Sequence, residues 1–75
     1  MMNSEERLVY MANQIAREFA HVGDPAAATA DHIAKFWDPR MRARILAGDA
    51  QQLGLSETAS DAFQLLRARG AAKAG

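Results

Sequence analysis

The chain has 75 residues, nine basic and nine acidic side chains, 49% hydrophobic residues and no cysteine. This excludes disulfides, thiolate metal sites and iron–sulfur ligation within the chain, a strong positive field for nucleic acid or an anionic membrane, and a second domain. It also implies a thin core, because 17 of the 37 hydrophobic residues are alanine and a domain this small buries only about 60% of the surface its unfolded chain exposes. Small proteins offset such a deficit with disulfides, metals or oligomerisation. His21 and His32 alone cannot make a structural zinc site, so a partner surface is the remaining support. No apolar run approaches the roughly 20 residues that span a bilayer. Met1-Met2-Asn3-Ser4-Glu5-Glu6 lacks a basic region followed by an apolar segment, so no secretory signal is expected and a cytoplasmic protein is.

Asn3 or Ser4 opens the first helix, with Asn3 and Glu6 at capping-box spacing and Glu5 and Glu6 at the positive end of the helix dipole. Leu8, Met11, Ala12, Ile15, Phe19 and Val22 then recur at three- and four-residue steps and form one apolar stripe. Tyr10, Asn13, Gln14 and Arg17 lie opposite. Asn is a poor interior helix residue, and this face is either solvated or in hydrogen-bonded contact with another chain. Gly23, free to take the left-handed conformation, stops the helix, and Asp24-Pro25 caps the next. That second helix is expected from Pro25 to about Trp37, with Ala26, Ala30, Ile33 and Trp37 as its stripe and Ala27, Ala34 and Phe36 widening it. Asp31 and His32 are neighbours pointing about 100° apart and cannot form a base–orienter pair. His32 is instead spaced to pack beside Phe36.

Phe36-Trp37-Asp38-Pro39-Arg40-Met41-Arg42 combines the only tryptophan with a second Asp-Pro corner. Pro39 biases Asp38 out of the helical region, so one helix ends and another begins there. Met41, Ile45 and Leu46 give the third helix its apolar side, and Gly48 ends it. Arg40, Arg42 and Arg44 alternate, which spreads Arg42 far from the other two and makes no basic stripe. Each either pairs with a carboxylate of this chain or, for Arg40 and Arg42 above all, meets an acidic partner. Trp37 is either the core of the domain or an interface anchor, since Trp and Arg dominate binding energy at many interfaces. A single turn from Asp49 to Leu53 leads through Gly54 to the Ser56 cap of a last helix, Glu57 to Arg69, with Ala59, Ala62, Phe63 and Leu66 on one face. Residues 1–69 are thus expected as one all-α domain, a small bundle of three main helices plus a short C-terminal helix and no sheet, with 70–75 a mobile tail.

There is no Gly-rich phosphate loop, no HExxH-type spacing and no Ser with a plausible His–carboxylate relay. A helix-turn-helix would need base-reading polar side chains, whereas the third helix is mostly apolar besides its arginines. The expectation is no catalytic, cofactor or metal site, no nucleic acid and no membrane. The candidate partner-binding residues are Tyr10, Asn13, Gln14, Arg17, Phe36, Trp37, Arg40, Met41 and Arg42.

Met11-Ala12-Asn13-Gln14-Ile15, followed by His32-Ile33-Ala34-Lys35-Phe36-Trp37-Asp38-Pro39-Arg40-Met41-Arg42, resembles the small delta subunit of the bacterial NAD-dependent, molybdenum-containing formate dehydrogenases over about residues 7 to 66. The resemblance implies an accessory subunit of a cytoplasmic complex that oxidises formate to carbon dioxide and reduces NAD. It further implies that the molybdenum bis-guanine-dinucleotide cofactor, the iron–sulfur clusters, FMN and the NAD site lie on alpha, beta and gamma subunits, with none on this chain. A delta subunit would dock on and stabilise the alpha subunit, or act as a transient chaperone for molybdenum cofactor insertion.

Overall fold

The helix starts are written in short polar side chains. Asn3 Oδ1 accepts from the Glu6 N–H at 2.8 Å and opens α1 (Ser4–Glu18). Asp24 Oδ1 accepts from Ala27 at 3.1 Å to open α2 (Pro25–Phe36), and Asp38 Oδ1 accepts from Met41 at 3.0 Å to open α3 (Pro39–Leu46). Each bond satisfies an N–H that a helix start leaves without a partner, and Pro25 and Pro39 take positions where no N–H is needed. A single turn, α4 (Ala50–Leu53), leads to α5 (Glu57–Ala74), where Ser56 Oγ accepts from the Ala59 N–H at 3.2 Å. The computed structural model describes residues 2–74, and the side chains of all of these except 50, 51 and 71–74. Every regular element among the described residues is a helix, so the chain is all-α.

α2 and α5 make the most extensive helix pair, α1 lies against both, and α3 touches α1 and α5. Small side chains permit this. Thr29, Ala30, Ala59 and Ala62 are fully buried, and residues of that size let helix backbones approach closely. The Thr29 hydroxyl donates to Pro25 O at 2.7 Å, so its burial leaves no polar atom without a partner. Ile33, Ile45, Phe63 and Leu66 fill the space around this seam. Trp37 closes one end, only 4% exposed, with its ring centroid 5.9 Å from that of Phe63. Outside the core, Arg69 and Asp31 form an exposed ion pair at 3.0 Å between α5 and α2. Because exposed pairs contribute little, Asp31→Ala is expected to change stability by less than about 0.5 kcal/mol, read from urea denaturation.

Four expectations are corrected. The buried residues of α1 are Leu8, Val9, Ala12, Ile15 and Ala16, a broader face than the expected stripe, because α1 packs against three helices and not one. The helix stops at Glu18, and Val22 is 42% exposed. Gly23 does not adopt a positive φ; the turn bonds Ala20 N–H to Arg17 O and Val22 N–H to Phe19 O end the helix before it. Ala34 and Phe36 do not widen the buried stripe of α2 but face outward. Finally, α5 is not short. It continues past Arg69 to Ala74, giving 18 residues, because one helical glycine costs only about 1 kcal/mol and the alanines and lysine after Gly70 are good helix formers. Gly75, the end of the expected tail, lies outside the described residues.

Candidate partner-docking surface

The corner between α2 and α3 sorts the Phe36–Arg42 string into inward and outward residues. Trp37 turns into the core, and Asp38 caps α3. Arg42 folds back, its Nη1 donating to Trp37 O and, at 3.3 Å, to Ala34 O. A guanidinium there satisfies carbonyls that a helix end leaves open and sits at the negative end of the α2 dipole. Arg67 does the same for α3, donating to Leu46 O at 2.7 Å. Two expected interface residues, Trp37 and Arg42, are thus engaged within their own chain. The partners of Arg42 are carbonyl oxygens of its own chain.

Phe36 and Arg40 remain exposed, and Met41 is half-buried against the core. Phe36 is 71% exposed, the largest exposure of any large apolar residue among those described. Its ring centroid lies 4.6 Å from that of His32, which in turn meets Phe19 edge-on at 5.9 Å. His32 therefore packs beside an aromatic, as its spacing implies. A groove of about 360 Å³ runs beside Phe36 and is lined also by Met11, Gln14, His32 and Met41. It joins two candidates from the first helix and the corner, Gln14 and Met41, to Phe36. Arg40 shares Met41 with a second groove next to this one, towards Arg7 and Arg44.

Asn13 is also engaged within the chain. Its Nδ2 donates to Gly54 O at 3.0 Å, and its Oδ1 accepts from Ser56 N–H at 2.8 Å. One amide thus holds both sides of the loop between α4 and α5, where Gly54 takes a φ of 84° that disfavours any side chain. This explains an asparagine in mid-helix: its partner is backbone from 41 to 43 residues away in the chain. Arg17 lines the surface beside it, away from Phe36, and Tyr10 is 57% exposed. Asn13→Ala is expected to lose about 1–2 kcal/mol, with two modest hydrogen bonds removed at a partly solvated site. Hydrogen exchange should then speed up first at Ser56 and in the first turn of α5; unchanged exchange there would show that the amide holds nothing.

The sequence reading did not include Arg7, and it missed that Arg40 and Arg44, four residues apart on α3, stand together at one groove with it. The i,i+4 spacing of Arg40 and Arg44 was the available signal; the approach of Arg7 is tertiary. Among the described residues no group of three or more His, Cys, Asp and Glu side chains is placed to hold a metal, and no helix is long and apolar enough to cross a membrane.

Residues 7–63 match the family model of the NADH-dependent formate dehydrogenase delta subunit FdsD. No curated protein and no solved structure matches the chain. The matched span runs from the first turns of α1 to the middle of α5 and contains both the Met11–Ile15 and the His32–Arg42 strings. The chain therefore belongs to the family of NADH-dependent formate dehydrogenase delta subunits.

Proposed function

We propose that this chain is a non-catalytic accessory subunit that docks on the molybdenum-cofactor-bearing alpha subunit of a cytoplasmic formate dehydrogenase and stabilises it, in a complex completed by beta and gamma subunits. The observation that carries this reading is the exposure of Phe36 beside Met11, His32 and Met41. A chain this poor in large apolar side chains gains stability by burying one, and leaving an aromatic in water is readily explained by a surface that is covered in the assembled enzyme. The absence of cysteine means that the chain offers no thiolate to a cluster or to molybdenum. This supports placing the molybdenum cofactor, the iron–sulfur clusters, FMN and NAD on the other subunits, which then carry formate oxidation and NAD reduction.

Co-expression of an affinity-tagged chain with the alpha subunit, followed by size exclusion with mass analysis, tests the reading. The expected result is a stable complex at one copy each, retained in the purified active enzyme. A fully active enzyme purified without this chain, after the chain was needed during cofactor loading, would instead assign it to maturation as a chaperone.

A further inference from the structure

Arg7, Arg40 and Arg44 converge on a groove of about 580 Å³ between the start of α1 and α3, with Leu8 and Met41 in its lining. All three arginines are exposed, and none of their guanidinium groups has a hydrogen bond or ion pair with a described residue. No carboxylate lines the groove. These three differ from Arg42 and Arg67, whose donors are engaged by helix-end carbonyls, and from Arg69, which pairs with Asp31. In a chain whose charges sum to zero, three like charges at one rim create a local positive potential over an apolar floor, which favours an incoming anion with an apolar part. Guanidinium forks match carboxylates two bonds at a time.

We propose that this groove docks an acidic segment of the alpha subunit, with carboxylates on Arg7, Arg40 and Arg44 and an apolar side chain on Leu8 and Met41. The inference deepens the docking reading above and rests on it. The groove shares Met41 with the one beside Phe36, so one partner chain can cover both. A nucleic acid or an anionic membrane is the poorer match, because three cations in a neutral chain give too little backbone neutralisation and the apolar floor is recessed and does not protrude.

The test measures binding of three full-length forms to the alpha subunit at low and high salt: wild type, the triple variant Arg7→Glu, Arg40→Glu, Arg44→Glu, and the triple variant with lysine at the same positions. Thermal melts confirm that each form is folded. The glutamate variant should bind on the order of a hundredfold more weakly at low salt, and its affinity should no longer fall as salt is raised. The lysine variant should stay within about tenfold of wild type and keep the salt dependence, since charge is retained and only the planar fork is lost. Binding by the glutamate variant equal to wild type overturns the proposal, and so does equal loss in both variants. Preferential capture of duplex DNA or anionic vesicles by wild type, abolished in the glutamate variant, also overturns it by assigning the groove to another class of partner. Failure of wild type to bind the alpha subunit at all removes the docking reading and this inference together; wild-type binding that ignores the arginines removes only this one.

Discussion

Trp37→Ala should unfold most of the isolated chain. Its ring is 4% exposed and packs on Phe63 at the end of the α2–α5 seam, close to where Arg42 returns to Trp37 O. Removing a buried aromatic of this size costs about 3–5 kcal/mol, the transfer term plus a cavity that rigid neighbours only partly fill. The whole stability of a small domain is on the order of 5 kcal/mol. A melting temperature lowered by roughly 20 °C or more follows, since each kcal/mol moves a domain of this length by about 4–8 °C. Trp37→Phe keeps an aromatic against Phe63 and should lose less than half as much. Far-UV circular dichroism is the suitable probe, because the variants lack the only tryptophan. Binding to a partner will also weaken, but only as a consequence of unfolding, and an excess of partner should recover it by mass action. A normal melt combined with lost affinity would return Trp37 to the interface.

The parts of the fold that could be read from sequence are those decided within a few residues. Asp24-Pro25 and Asp38-Pro39 place their helix starts because a carboxylate reaches an N–H three positions on, and Ala59, Ala62, Phe63 and Leu66 are buried on the face their spacing gives them. What the local sequence does not show has a different cause. Asn13 finds Gly54 and Ser56 across more than 40 residues, and no local pattern encodes which backbone an amide will meet. Arg42 reads as a surface cation until the α2–α3 corner is closed, when two carbonyls come within its reach. The basic groove needs Arg7, 33 residues before Arg40 in the chain, and only the packing of α1 against α3 brings them together. Of the docking candidates, Gln14, Phe36, Arg40 and Met41 gather on adjoining grooves, with the buried Trp37 at the base of one; Arg42 and Asn13 bond to backbone of their own chain.

Phe36→Ala should give the opposite pair of readouts to its neighbour. With the side chain 71% exposed and its ring beside that of His32, truncation removes little buried area, and the melt should shift by no more than about 0.5 kcal/mol of stability. Affinity for the alpha subunit should fall much further. An aromatic anchor desolvated at the centre of an interface typically contributes 2 kcal/mol or more, roughly thirtyfold in the dissociation constant. The loss should appear mainly as faster dissociation, because an apolar contact does not steer the encounter. Salt dependence should be unchanged, which separates this effect from that of the arginine rim. The combination of an intact fold with a weakened complex is what an exposed ring held for a partner requires. Undiminished affinity would mean that the Phe36 surface stays in water in the assembled enzyme, and docking would have to be sought on the face carrying Tyr10 and Arg17.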